Sequence, residues 1–578
     1  MDNKSFYKHK FNSMLLSSTM GMTVNFIMLI CDAVIAGYFF GADGVSSVNL
    51  VIPVMSFVLF VSEIFGNGIG ILYSRYIGKF DKTGADRLYG MGIIINIAAA
   101  IISMIFIFFG KDLYFGLQGV DGKVYELAKD YYTFMPLNAV AAIMYQYVAF
   151  MVYTDGDEKC TNLACIVQIG SQIAFSFILC SKMGITGIML GKVIGNILST
   201  LVASGHFLSN KNTLHFIPYF NIKELLKVIK FSMVDACMYL CWSVMNYLLI
   251  VYISRHYDRG ALVILAVVMT LVEFGIILDG IGLAMQPLIG TYIGEKNYAM
   301  IKRFMKYVLK VTLIAGFAAS IIIFAFAPQL VAFFGIESSY LADTVTAARI
   351  FAISLVFCSV ILVEASYYML IDQIKTSVMI TILREGVAYT LCPIVFSMIF
   401  GEIGLWIGLF AATPISLGIS LIFVIFKYGK AKFPLLIPNA DDTFVVFESS
   451  LTRDNISIFS KNVEKTLKDR GAIEKSVLWG AVFTEEILLA VLNKNSNKKG
   501  KLLVEVSLIF DKDSVLLIER DSGVIFDPTV TDSDIGNLSD FVLASLMEAH
   551  EEKAYQTTTG YNRNIIRLPL DAKQALKP

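Results

Sequence analysis

The chain has 578 residues, of which 56% are hydrophobic and 16% charged, and its mean hydropathy is +0.68. A soluble enzyme of this size is rarely so apolar, so the composition points to a polytopic membrane protein. The 47 basic and 47 acidic residues cancel, which offers nothing to nucleic acid, and eight cysteines without a CxxC pair or metal-ligand spacing suggest no metal centre or cofactor.

Twelve apolar segments follow in order, at about 12–40, 49–76, 88–110, 125–153, 160–182, 186–208, 223–254, 260–293, 304–328, 341–370, 374–398 and 404–427. Each is long enough for a bilayer-spanning helix, which needs roughly 20 apolar residues. The basic N-terminus, MDNKSFYKHKF, leads into a run too long for a cleaved signal, so the first segment reads as an uncleaved span. With that end inside, Lys and Arg are about threefold richer in the inner connections than in the outer ones. Twelve spans then return the C-terminus to the cytoplasm and place the chain in the cell membrane. In the first span stands Asp32, flanked by apolar residues. A charge at mid-bilayer costs at least ~2.5–3.5 kcal/mol, so such residues usually face a cavity and carry a function.

Segments resemble one another at an offset near 216 residues. Arg75-Tyr-Ile-Gly-Lys79 matches Thr291-Tyr-Ile-Gly-Glu295, Asp155-Gly-Asp-Glu-Lys159 matches Asp372-Gln-Ile-Lys375, and Gly184-Ile-Thr-Gly187 matches Gly401-Glu-Ile-Gly404. The offset holds six spans, so the expected architecture is all-α with two pseudo-symmetric six-helix bundles, residues 1–215 and 216–432, around a central cleft.

Cys31-Asp-Ala-Val-Ile-Ala-Gly37, Gly41-Ala-Asp-Gly-Val-Ser-Ser-Val48, Pro53, Ser74-Arg-Tyr-Ile-Gly78, Gln286-Pro287 and Tyr292-Ile-Gly294 carry a resemblance to the multidrug and toxic compound extrusion (MATE) family over roughly residues 10–430. The resemblance implies a secondary antiporter that exports organic compounds, often cationic, against H⁺ or Na⁺, with no other cofactor. Its acidic first-span residue matches Asp32. Its polar fifth-span positions fall on Gly170 and Ala174, with Gln168 and Gln172 nearby as uncharged substitutes.

The second half holds further intramembrane charge. Asp235 and Glu273 are the expected partners of Asp32 in ion coupling. Glu63, Asp279, Glu364 and Arg384 are secondary polar candidates, Arg384 pairing with Glu385 or Glu364. Tyr38, Phe57, Tyr145, Met238, Met269 and Met285 are candidates to line an apolar pocket for organic cations.

Charge is about twice as dense after Asp441 as before it. Residues 433–442 read as a linker and 443–578 as a cytoplasmic α+β domain. Helices are expected at about 456–471, 475–493 and 538–550, and strands at 502–510, 514–520 and 564–568. Asp521-Ser-Gly-Val-Ile-Phe-Asp-Pro528 and Gly560-Tyr-Asn-Arg-Asn-Ile-Ile-Arg567 resemble the GHKL ATPase fold of the anti-sigma-factor type. The resemblance implies an adenine contact at Asp521 and Gly523. Counting four from Glu486 reaches Ala490 where the fold places a Mg²⁺-orienting Asn, and the glycine-rich lid is reduced to Gly536. The expected site is therefore weak or vestigial and the domain regulatory, with a cytoplasmic protein as a possible partner. The expected function is antiport of small organic, cationic or amphipathic substrates within membrane lipid. A lipid-linked saccharide flippase and a transporter-like sensor signalling through the tail are the alternatives.

Overall fold

The computed structural model describes residues 5–118, 122–333, 338–438, 444–496, 501–528, 538–548, 553–558 and 560–570. The first two spans form one helical path, Phe6–Gly78, interrupted at Gly41 with φ 64°. Glycine reaches that region without a Cβ penalty. Gly44 then lies so close to the Ala36 carbonyl that a Cβ would sit 2.4 Å from it. The third span is Lys82–Gln118, and the fourth joins Lys123–Tyr131 to Met135–Asp155 through a 3₁₀ turn. The fifth, sixth and seventh are Glu158–Met183, Thr186–Ser204 and Ile222–His256. The eighth joins Arg259–Phe274 to Gly280–Gly294, and the ninth and tenth are Tyr298–Phe333 and Ser338–Leu370. The eleventh joins Ile374–Thr381 to Tyr389–Phe400 through a π-helical segment, Ile382–Ala388, and the twelfth is Glu402–Tyr428.

The repeat is written into the backbone. Positive φ recurs at Phe80 (61°) and Lys296 (59°), at Gly156 (95°) and Asp372 (66°), and at Gly184 (71°) and Gly401 (68°). Three of these six are non-glycine residues in a conformation they rarely adopt. Gly187 and Gly404 each press on the preceding helix, where a Cβ would meet backbone at 2.2–2.3 Å.

The bundles share one core only in the half of the membrane part nearest the tail. That core takes Phe11, Met14, Ile69 and Leu88 from the first bundle and Ile281, Ile289, Met300 and Tyr368 from the second. In the other half each bundle keeps its own core, around Ile35, Val51 and Tyr131 in the first and Leu249, Val268 and Phe351 in the second. The seam is closed by glycine. A Cβ on Gly68 would sit 2.3 Å from the Val228 carbonyl, and one on Gly78 2.3 Å from the Thr291 carbonyl and 2.8 Å from Gly294 Cα. An ion pair, Arg75–Asp372 at 2.8 Å, crosses the same seam.

The tail carries a five-stranded antiparallel sheet in the order β1-β2-β3-β5-β4, with β1 Phe444–Ser450, β2 Leu503–Phe510, β3 Ser514–Asp521, β4 Lys553–Thr558 and β5 Tyr561–Pro569. Helices Arg453–Asp469, Glu474–Lys494 and Leu538–Glu548 share a core with one face of it, through Val463, Ile487, Leu543, Val506 and Leu517. Helix Glu474–Lys494 is long and apolar enough to cross a membrane, but its apolar side is spent in this core. The sequence reading gave three strands. It missed β1 and β4, which are the two edges of the sheet.

Gly78→Ala forces backbone apart across the seam. It should cost about 1–3 kcal/mol of stability, as overpacking does, read as a lowered Tm of the purified protein. Gly110→Ala, which has open space around its Cα, is the control and should leave Tm unchanged.

Candidate functional site

Asp32 is 1% exposed. The structure gives it three donors from three different helices: Lys192 Nζ at 2.5 Å, Tyr131 Oη at 2.9 Å and Gln172 Nε2 at 3.0 Å. Gln172 thus meets Asp32 as a fifth-span polar partner. Gln168, one turn earlier, donates to Asn196 instead (2.9 Å), and Asn196 donates to Asn138 (3.1 Å). Sequence reasoning missed Lys192. Its signal was a lone lysine within the Gly-rich apolar run Gly187–Gly195, which no loop accounts for.

A second group lies between the bundles. Asn67, on the second span, donates to Asp235 on the seventh at 2.6 Å. Glu63, one turn before Asn67, accepts from Gln146 at 3.4 Å and lies within electrostatic range of Asp235 and Asp279. Asp235 and Asp279 border a cavity of about 30 Å³ together with Met238, Ser366, Arg384 and Glu385. Asp235 is therefore a cavity residue. That volume has room for a water or two, since one needs roughly 10–15 Å³, whereas a pocket for a drug-sized ligand needs ~300–1,000 Å³. This cavity is too small for a drug-sized ligand with the bundles as they stand.

Arg384 and Glu385 sit in the π-helical segment, a type of distortion that often marks functional positions. They pair with each other. Glu364 is not the partner; it accepts from Ser420 at 2.7 Å. Glu273 lies on the helix Arg259–Phe274, and its side chain is outside the described residues. The aromatic and methionine candidates do not converge. Met238 lines the cavity, but Tyr38 is 74% exposed beside Phe39 and Phe177, Phe57 leans on Phe106, and Tyr145, Met269 and Met285 are core residues.

In the tail, Asp521 Oδ1 accepts from the Gly523 N–H (2.6 Å) and from Asn562 Nδ2 (3.1 Å). A Cβ on Gly523 would sit 2.5 Å from Asn495 Nδ2. Neighbouring protein groups therefore already engage Oδ1 of the carboxylate expected to read an adenine. Glu486 is half-buried, Ala490 lies in the tail core, and Gly536 is outside the described residues.

The other face of the sheet docks on the membrane part. In register, Arg520 stands opposite both Glu505 and Arg563. Side chains alternate along a strand, so these three leave the sheet on the side away from Asp521 and Asn562. Glu295, directly after the eighth span, pairs with both Arg520 and Arg563, the latter at 2.9 Å. Arg563 also donates to the Ile77 and Gly78 carbonyls at the end of the second span, at 2.9 and 2.7 Å, and its guanidinium lies 3.5 Å from the Phe80 ring centre. Burial pulls this guanidinium down to about 9, against the raising effect of Glu295. Phe6 and Tyr561 pack with their ring centres 4.2 Å apart and their planes tilted by 52°, so the N-terminal helix joins the same interface.

The sequence model of the MatE family matches residues 18–178 and 236–394, one segment in each bundle. The chain belongs to the MatE family. Its members are transporters, not enzymes, and this one is a multi-pass membrane protein with twelve spans. It is similar to the multidrug export protein MepA of Staphylococcus aureus (strain MSSA476), with 22% identity over 326 residues covering 54% of this chain and 71% of MepA. The Staphylococcus saprophyticus MepA is 21% identical over 419 residues, 70% of this chain and 92% of that protein. Among solved structures, a MATE protein in complex with MaL6 superposes with a TM-score of 0.68 at 19% identity, covering 73% of this chain and 97% of its own. An outward-facing MATE transporter of the MOP superfamily gives 0.67 at 19%, over 73% and 96%. The MatE match ends at residue 394, so the tail lies beyond it.

Glu295→Gln leaves two buried guanidinium groups with one fewer anion between them. Breaking a buried pair costs about 3–5 kcal/mol. The variant should release the tail, seen as faster cleavage by a protease added to the purified protein.

Proposed function

We propose that this MatE protein is a secondary antiporter that exports organic, cationic or amphipathic compounds in exchange for H⁺ or Na⁺. The observation that carries the reading is the separation of two acidic sites, one buried and one half-buried. Asp32 sits inside the first bundle, and Glu63, Asp235 and Asp279 gather at the boundary between bundles. The first suits a coupling ion whose binding changes the bundle. The second suits a substrate cation, because several carboxylates partly withdrawn from water favour an opposite charge beside them. Glu273 stays a coupling candidate by its place in the eighth span. The multidrug exporters related to this chain support the substrate class. The acidic boundary disfavours the flippase reading, since a lipid phosphate would be repelled there. The excess of Lys and Arg on the tail side supports a cell-membrane protein with both termini in the cytoplasm.

The tail is proposed as a GHKL-like regulator. One residue, Arg563, touches the second span and, through Glu295, the eighth, so a docked tail ties both bundles together where they already share a core. The tail-side seam stays shut while the tail stays docked, and a partner protein that pulls it away favours opening.

Two measurements test these readings. In everted vesicles supplied with a cationic dye from outside, Asp32→Asn should abolish gradient-driven uptake while the protein still inserts. Asp235→Asn and Glu63→Gln should raise the dye concentration needed for half-maximal rate by about tenfold, the equivalent of a 1.4 kcal/mol contact. Wild-type rates in Asp32→Asn would remove it as the coupling residue. On the purified full chain, calorimetry with ATP and Mg²⁺ should give no micromolar binding, which needs roughly −8 kcal/mol; micromolar affinity would favour the sensor reading.

A further inference from the structure

Lys192 stands where a coupling cation would. Its ammonium lies 2.5 Å from Asp32 Oδ2, and both side chains are buried, at 11% and 2% exposure. We propose that Lys192 is a tethered cation seated at Asp32, which excludes Na⁺ from that carboxylate and leaves the proton as the ion that can couple there. The proposal rests on the reading of Asp32 as the coupling residue.

The donor set argues for it. Hard metal cations bind shells of oxygen lone pairs. The groups turned toward Asp32 are instead the ammonium of Lys192, the phenol of Tyr131 and the amide nitrogen of Gln172, all offering hydrogens. A sodium ion would have to displace the ammonium and reorient the other two. A proton needs no shell.

The same neighbours suit a protonated Asp32. Gln172 Oε1 is buried without a hydrogen-bond partner among the described residues. When Asp32 takes up a proton, its new O–H needs an acceptor. A half-turn of the Gln172 amide exchanges nitrogen for oxygen at the same place and supplies one. The proton stays on Asp32 and the ammonium keeps its own three, so the charge of the site rises from zero to plus one. Among the described residues, Lys192 is then a buried cation left with the Met55 sulfur at 3.8 Å, a weak acceptor. An uncompensated buried charge is costly, which favours a shift of the sixth span, the carrier of Lys192, relative to the first. The groups facing Asp32 are Lys192 from the sixth span, Tyr131 from the fourth and Gln172 from the fifth; Cys31, its neighbour in sequence, is within electrostatic range of both charges.

The experiment has two parts. The first needs no substrate. The Tm of the purified full chain is compared in NaCl and KCl at equal pH and ionic strength. A ligand that binds the folded state raises Tm, so the expected Na⁺-specific shift is under about 1 °C. A clear Na⁺-specific rise that vanishes in Asp32→Asn overturns the proposal. The second part uses proteoliposomes and the dye ethidium. A pH gradient should concentrate the dye, and a Na⁺ gradient at equal pH should not; Na⁺ drive overturns the proposal. Lys192→Met should lose tenfold or more of the pH-driven rate. The neutral pair Asp32→Asn/Lys192→Met guards against misfolding. It should keep a Tm near wild type and let ethidium equilibrate without concentrating it. If the neutral pair concentrates ethidium as wild type does, the two residues are a structural strut and the proposal falls. A wild type that moves no dye under either gradient counts against the exporter reading, and the Na⁺ comparison of Tm still decides what sits at Asp32.

Discussion

A charge removed from water must be met by another charge or by hydrogen bonds, and this constraint orders the whole molecule. In the first bundle Lys192, Tyr131 and Gln172 converge on Asp32 from three spans. At the boundary Asn67 reaches across to Asp235. On the tail side one acid, Glu295, collects two arginines that the tail supplies. Each assembly joins elements distant in sequence, so satisfying the charge also fixes how helices sit against one another.

Those assemblies divide the labour between rigid and movable parts. The far half of each bundle has its own core, so it keeps its shape whether or not the other bundle is near. The tail-side half has one common core and several backbone-to-backbone glycine contacts. Closure there is all-or-none in character, because close-packed surfaces do not deform continuously. A small opening loses the glycine contacts, the Arg75–Asp372 pair and the Arg563 bonds together.

The sequence carried the architecture because the bilayer imposes it. Twelve apolar runs, their punctuation and the 216-residue offset were all legible, down to the connections at Gly184 and Gly401. The location of Asp32 inside an apolar run was legible too. Its partner was not, because a single lysine in an apolar run carries no periodic signal. The cavity role of Asp235 and the choice of Glu385 over Glu364 by Arg384 depend on helix rotation, which spacing alone leaves open. In the tail, β2 and β3 were visible as alternating apolar strands. β4, Lys553-Ala-Tyr-Gln-Thr-Thr558, is short and polar as edge strands often are, and β1 follows directly on the supposed linker. The docking face was hidden for a different reason: Arg520 and Arg563 look like ordinary solvated charges until their partners on the membrane part are seen.

The ends of the second and eighth spans occupy corresponding places in the repeat, and each is followed by a charged residue, Lys79 in one and Glu295 in the other. A helix C-terminus carries partial negative charge from its free carbonyls and favours cations. Lys79 obeys that preference and Glu295 breaks it. The unfavourable end is where the tail brings Arg520 and Arg563, and Arg563 also caps the Ile77 and Gly78 carbonyls of the favourable one. Electrostatically, then, the membrane part is unfinished by itself: its second repeat ends on the wrong sign, and the correction is encoded more than 200 residues downstream. A transporter of this fold without such a tail would be better served by a neutral or basic residue at the place of Glu295, so that one position links the helix dipole to the presence of the appended domain.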